Sequence, residues 1–185
     1  MTSDADRALL LSVAREAITA HVERRQARLA PIEGVLAQAG GAFVSLHAHG
    51  ELRGCIGYIE ADRPLGEVIP RCAVGACSTD PRFPAVTAEE LAALAVEISL
   101  LGPLEEAGGP GAIEIGRHGL LVESGWHRGL LLPQVATEWH WDSETFLAHT
   151  CRKAGLARDA WKHGVKLWRF EAEVFGDAQA AGAVP

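Results

Sequence analysis

The stretch AFVSLHAHGELRGCIGYIE, residues 42–60, decides the fold class because it contains two strand-like runs around a short turn. AFVSLHA at 42–48 and LRGCIGYIE at 52–60 are rich in β-branched, aromatic and other apolar residues, and HGE separates them. His49 and Gly50 suit a two-residue turn, since glycine and short polar residues tolerate the backbone that such turns need. The stretch therefore predicts a β-hairpin.

Outward from this hairpin, the hydrophobic periodicity changes between helical and strand-like patterns. It predicts helices over 4–28, 65–78, 88–93 and 142–154, and strands over 94–102, in three short pieces within 113–132, and over 166–175. Thr87 and Glu90 have the spacing of a capping box at the start of the third helix. Helices at both ends around several hairpins favour an α+β fold with a mixed or antiparallel sheet and flanking helices.

Composition narrows the functional classes. The chain has 185 residues and a formal net charge of -7, and its basic residues are scattered, which argues against nucleic-acid binding. The N-terminus lacks the basic and then apolar pattern of a signal peptide, and no apolar run is long enough to span a membrane. We therefore expect a cytoplasmic protein whose four cysteines are individual thiols. No cysteine and histidine spacing indicates a metal site, and no motif indicates a cofactor.

The segment LRGCIG carries the clearest local argument for a functional site. Residues two apart on a strand share a face, so Arg53 and Cys55 are predicted to project together, and a guanidinium favours the reactive thiolate. Gly54 and Gly57 leave the neighbouring backbone without side-chain cover, which often marks close approach by a ligand or another backbone.

The hairpin register favours the opposite interpretation. With a two-residue turn, Cys55 shares its face with Val44 and Leu46, and apolar neighbours oppose ionisation of a thiol. An ordinary buried cysteine therefore remains an alternative to a reactive one.

Two further segments carry residues that could take part in catalysis or binding. Arg117 and His118 form an Arg-His pair in the predicted turn GRHG, which could bind an anion or move a proton, or could be a solvated turn. Arg82 lies in the proline-bounded segment TDPRFPA, where it could form a structural ion pair or reach the site.

Several stretches together resemble the AMMECR domain family. They are LRGCIG at 52–57, DPRFPAVTAEEL at 80–91, the long stretch from GRHG to WHW at 116–141, and FLAHTCRKAGL at 146–156. The resemblance covers residues 7–175 as one domain and leaves 176–185 as a tail that is expected to fray. It implies an α+β fold in two lobes, a functional role for LRGCIG, and association with a Memo-like protein and a radical SAM enzyme.

Two functional hypotheses follow. In the first, Cys55 is a nucleophile or redox thiol, Arg53 lowers its pKa, and His118 or Glu138 acts as acid or base. In the second, the protein is a non-catalytic binding or adaptor protein, in which the LRGCIG strand and the loop ending in LPQ, with Gln134, recognise a small metabolite or a protein partner. The absence of any complete catalytic motif motivates the second hypothesis.

Overall fold

A computed structural model describes residues 2–177 of the chain. The part of the predicted tail from position 178 onward lies outside these residues. The chain divides into two compact units, of which the first comprises the chain up to Leu101 and again from Glu173, and the second comprises Gly102–Ala172. All the described strand pairs are antiparallel, and helices accompany them in both units, so the predicted α+β class is confirmed.

Within residues 2–177, the first unit contains two α-helices, two short 3-10 helices (Gly34–Ala37 and Ala88–Ala93), three neighbouring strands and the end of the last strand of the chain. Its α-helices and neighbouring strands are α1 (Asp4–Val22), β1 (Ala42–Ala48), β2 (Glu51–Tyr58), α2 (Leu65–Ser78) and β3 (Leu94–Leu101). The strands lie in the order β2-β1-β3. The inward side chains of β1, Val44 and Leu46, pack with residues of α1 and α2 in one hydrophobic core. Burial of such apolar surface is the main force that holds the helices on this face.

Helix α1 begins where the sequence indicates but ends earlier than predicted. Ser3 and Asp6 form a reciprocal capping box at its start. The helix ends at Val22 instead of near residue 28, and Arg24 has a positive φ of 55°. Glu16 accepts hydrogen bonds from the Arg25 side chain and from the backbone N–H of Arg28, and these bonds hold the chain in a non-helical path after Val22.

The hairpin of β1 and β2 forms as predicted, but its register differs. The turn consists of His49 and Gly50, both with positive φ, as a two-residue hairpin turn requires. His47 pairs with Leu52, whereas Leu46 pairs with Gly54, so one extra residue of β2 forms a β-bulge.

The second unit contains two helices and four strands around its own core. These are β4 (Glu105–Glu106), β5 (His118–Ser124), β6 (His127–Leu131), α3 (Pro133–Glu138), α4 (Ser143–Lys153) and the part of β7 (Lys166–Gly176) that ends at Ala172. Strand β5 pairs with both β6 and β7. Only two of the three short strands predicted within 113–132 form, because the chain before His118 is a turn. Phe146 and Leu147 are fully buried at the centre of this core.

Within residues 2–177 there is no helix long and apolar enough to cross a membrane.

Candidate functional site

The β-bulge decides which way Cys55 faces. Arg53 is the extra residue, so Cys55 pairs with Ser45 instead of with Val44. A shift of one residue moves every following side chain to the other face of a sheet. The prediction that Cys55 shares its face with Val44 and Leu46 is therefore wrong.

The backbone of Cys55 is bound on its outer side by two side chains. Its N–H donates to Asp80 Oδ2 at 2.9 Å, and its carbonyl oxygen accepts from Arg82 Nη2 at 3.3 Å. Because β1 pairs with β2 from the other side, these side chains take the place of a further strand at this position. Cys55 is thus held in place while its side chain stays partly exposed.

Asp80 and Arg82 form a two-point ion pair. Arg82 Nε and Nη2 donate to the two carboxylate oxygens of Asp80 at 3.0 and 2.7 Å, and the Asp80 side chain is only 2% exposed. The hydrogen bonds from Arg82 hold the pKa of Asp80 well below its ordinary value, with help from the N–H of Cys55. The pKa of Arg82 is raised, chiefly by Asp80 and to a smaller extent by Cys55. Arg82 therefore forms the structural ion pair that one interpretation predicted, and its guanidinium also contacts the backbone of Cys55, as the other interpretation allowed.

The Arg53 side chain binds Glu90 and the backbone of Pro84. Its Nε and Nη2 donate to the Glu90 carboxylate at 2.8 and 3.1 Å, and its Nη1 donates to the carbonyl of Pro84 at 2.8 Å. Glu90 also accepts from the N–H of Thr87 in the predicted capping box. The arginine lowers the pKa of Glu90. These contacts anchor the segment after Asp80, and they supply a structural reason for an arginine at position 53.

Both glycines of LRGCIG have another part of the protein packed closely against them. A Cβ on Gly54 would be 2.1 Å from the carbonyl oxygen of Ala76 in α2, and a Cβ on Gly57 would be 2.2 Å from the ring of Phe43. A helix backbone and an aromatic ring thus occupy the space that the missing side chains leave. A ligand-binding role for Gly54 and Gly57 stays a prediction.

A row of polar residues crosses three strands at Cys55. Ser45 pairs with Cys55 on β2 and with Glu97 on β3, and we call these three residues the polar row. The hydroxyl of Ser45 donates to the sulfur of Cys55 at 3.3 Å. The polar row therefore places a hydroxyl donor directly beside the Cys55 thiol.

His47 extends the polar row along the same face of β1. It lies two residues from Ser45, and its Nε2 is 4.0 Å from Oε1 of Glu97. This nitrogen is buried and has no hydrogen-bond partner among the described residues. The sequence interpretation missed Ser45 and Glu97, although the alternation in AFVSLHA puts Ser45 and His47 on one face.

The other three cysteines are buried in the hydrophobic cores. Burial raises the pKa of Cys72 to about 11 and also raises the pKa of Cys77 and of Cys151. They remain protonated at neutral pH, so Cys55 differs from them in exposure and in its polar surroundings.

The remaining predicted site residues lie in the second unit. His118 begins β5 and is buried, and its Nδ1 accepts from the N–H of Glu114 at 3.0 Å, so the alternative of a solvated turn is wrong for His118, whereas its role as acid or base stays a prediction. Arg117 forms ion pairs with Glu114 and Glu171, which raise its pKa, with Glu171 as the larger cause.

Two further candidates belong to α3. Glu138 is exposed at the end of this helix, and Gln134 is half-buried in its first turn. Their catalytic or binding roles stay predictions. No cluster of three or more metal-binding side chains is found across residues 2–177.

Comparison with known proteins identifies the family. The AMMECR1 family model matches residues 11–175. This chain belongs to the AMMECR1 family. A protein of Methanothermobacter thermautotrophicus is 45% identical over 175 residues, which cover 90% of this chain and 91% of the relative. A Thermococcus kodakarensis protein is 43% identical and covers 95% of this chain, with 92% of its own length matched.

The crystal structure of the uncharacterized protein PH0010 from Pyrococcus horikoshii has the same fold. It matches with a TM-score of 0.88 and 40% identity, over 95% of this chain and 93% of that one. None of these three AMMECR1-type relatives is named for an activity.

Proposed function

We propose that this AMMECR1 protein acts through Cys55 as a nucleophilic or redox-active thiol. The observation that supports this most directly is the contrast between Cys55, which is partly exposed beside Ser45 and Arg82, and the three buried cysteines. Thiolates are the reactive form of cysteine, and nearby donors and cations favour them.

The polar row suits the first chemical step of such a reaction. The thiol loses its proton to a base or to solvent, and a sulfur lone pair then forms a bond to an electrophilic atom of the substrate while the bond from that atom to its leaving group breaks and the leaving group departs with the electron pair. The Ser45 hydroxyl and the Arg82 guanidinium stabilise the negative charge on sulfur between these events. His47 beside Glu97 is a further candidate for proton transfer on this face.

The test is the alkylation rate of each cysteine against pH, resolved by peptide mass spectrometry after limited treatment with iodoacetamide. We expect Cys55 to react at least about tenfold faster at neutral pH than Cys72, Cys77 and Cys151. A Leu52→Cys variant provides the matched control, because Leu52 is on the same strand and is 40% exposed.

If the cysteine introduced by Leu52→Cys reacts as fast as Cys55, exposure alone explains the rate. Equal, slow reaction of all four native cysteines would also contradict the proposal. Faster reaction of Cys55 than of this exposed control supports activation by its neighbours.

A second candidate function is recognition of a small metabolite or a protein partner without catalysis. The observation in its favour is that Arg53 and Gly54 already have complete structural contacts, so LRGCIG needs no reaction to explain them. In this case Cys55→Ser retains partner binding and function, whereas loss of function with Cys55→Ser while fold and binding survive contradicts it.

The partners implied by the family resemblance are also proposals. We propose association with a Memo-like protein and a radical SAM enzyme, and co-purification of the three proteins at matched concentrations tests it. We further propose a cytoplasmic location without nucleic-acid or membrane partners, which the four free cysteines and the net charge of -7 support.

A further inference from the structure

A cleft lies between strand β2 and helix α2. Its volume is about 220 Å³, and it is lined from β2 by Ile56 and Tyr58 and from α2 by Val68, Arg71, Cys72 and Gly75. Cys55 and Gln134 do not line the cleft, but Ile56 and Gly57 of LRGCIG do, so an inference about this cleft rests on the second candidate function, recognition of a small metabolite.

The floor of the cleft is apolar and tightly built. Ile56 comes from β2, and Val68 and Cys72 are buried residues of α2. A Cβ on Gly75 would be 3.1 Å from Ile56, so the glycine lets α2 approach the strand at this point. Such a surface favours the hydrocarbon part of a ligand.

The rim of the cleft carries positive charge. Arg63 and Arg71 are both exposed, and no carboxylate is among the lining residues. Arg63 lies 5.8 Å from the centre of the Tyr58 ring, and the Tyr58 hydroxyl donates to Asp62 at 2.7 Å. Asp62 and, more weakly, Glu67 therefore offset part of the charge of Arg63, whereas Arg71 extends from α2 on the other wall of the cleft.

We propose that this cleft binds a small organic anion. Its hydrocarbon part lies on Ile56 and Val68, and its phosphate or carboxylate group binds Arg71, with Arg63 as the second cation. At about 30 Å³ for one water molecule, the volume of 220 Å³ suits a ligand part of roughly seven non-hydrogen atoms inside the cleft, with the rest of its anionic group at the rim. Guanidinium groups bind phosphate and carboxylate oxygens through paired hydrogen bonds, which gives the anion its orientation.

Titration of the full-length protein with butyl phosphate, followed by amide NMR, tests this inference. We expect saturable shifts at Gly57, Gly75 and Thr79 below about 20 mM ligand, which corresponds to weak but specific binding. 1-Butanol, which lacks the anion, and inorganic phosphate, which lacks the hydrocarbon part, are expected to bind at least about tenfold more weakly. Pentanoate distinguishes a carboxylate from a phosphate ligand by its relative affinity.

Arg71→Ala is expected to weaken butyl phosphate binding about tenfold or more, and Arg71→Lys to restore part of it. Arg152→Ala removes an exposed arginine of the second unit and serves as the matched control with unchanged affinity. Preserved amide dispersion shows that each variant is folded. Shifts that do not saturate, or equal affinity in the wild type and Arg71→Ala, would overturn the inference.

Discussion

Ser45 donates a hydrogen bond to the sulfur of Cys55 at a distance of 3.3 Å, and it does so from the neighbouring strand. Nothing in LRGCIG itself indicates this contact, since the partner lies ten residues earlier and the bulge sets the pairing. The sequence indicated a guanidinium near Cys55 but favoured Arg53, which binds Glu90, whereas Arg82 occupies the position next to Cys55.

Replacement of this serine tests the polar row at the residue scale. We expect Ser45→Ala to slow alkylation of Cys55 at neutral pH by about 3- to 10-fold, because one hydrogen bond to the developing charge is lost. Ser12→Ala removes a hydroxyl that donates to the Leu9 carbonyl on α1 and is the control. An unchanged Cys55 rate in a folded Ser45→Ala protein would rule out a role for the hydroxyl.

At the scale of elements, the local sequence pattern correctly predicted the turn, the helix and the cap that contacts between neighbouring residues determine. The His49 and Gly50 turn, the helix 65–78 and the Thr87 capping box all formed as the sequence indicates. The bulge at Arg53 could not be predicted in this way. It accompanies contacts of Arg53 with Glu90, 37 residues away, and of Gly54 with α2, which no local pattern of β2 encodes.

The two glycines of β2 are predicted to tolerate substitution differently. Gly54→Ala is expected to lower the free energy of unfolding by about 3 kcal/mol or more, because the new Cβ meets the Ala76 carbonyl, a backbone atom that cannot rotate away. Gly57→Ala meets only the ring of Phe43 and is expected to cost about 1–3 kcal/mol. Urea unfolding of each variant measures both values.

A second substitution, at Phe43, distinguishes a clash with a side chain from a clash with the backbone. Phe43→Leu in the Gly57→Ala background is expected to recover part of the lost stability, because the smaller side chain frees the space. No such recovery is expected for Gly54→Ala with Phe43→Leu. Gly108→Ala, where a Cβ would meet nothing within 4 Å, is the neutral control and should stay within about 0.5 kcal/mol of the wild type.

At the scale of the whole molecule, each unit has its own core and its own acid-sensitive groups. In the first unit, hydrogen bonds from Arg82 hold the pKa of Asp80 well below its ordinary value. In the second, burial lowers the pKa of His149, with Arg158 and Arg152 adding to the effect, and its ring stacks on Trp141 at 3.9 Å. Composition and net charge could not reveal either environment, since both depend on which residues the fold brings together.

These groups predict that the free energy of unfolding falls in two stages as the pH is lowered. Below its ordinary pKa of 6.5, His149 takes up a proton more readily in the unfolded chain than in the folded one, so acidification destabilises the fold. Asp80 contributes its full stabilisation above its ordinary pKa of 3.8, and this is lost as the pH falls towards the lower folded value.

Urea unfolding from neutral pH down to the acid range measures both stages, and one variant isolates each. His149→Gln is expected to flatten the stage just below pH 6.5, which is the ordinary pKa of histidine. Asp80→Asn is expected to lower stability at neutral pH by about 1.5–3 kcal/mol through loss of the charged hydrogen bonds. The difference in the free energy of unfolding between Asp80→Asn and the wild type should then shrink as the pH falls below 3.8, because the wild-type carboxylate becomes protonated and loses its charge. A difference that stays constant over the whole pH range would mean that the charge of Asp80 does not stabilise the edge of β2 at Cys55.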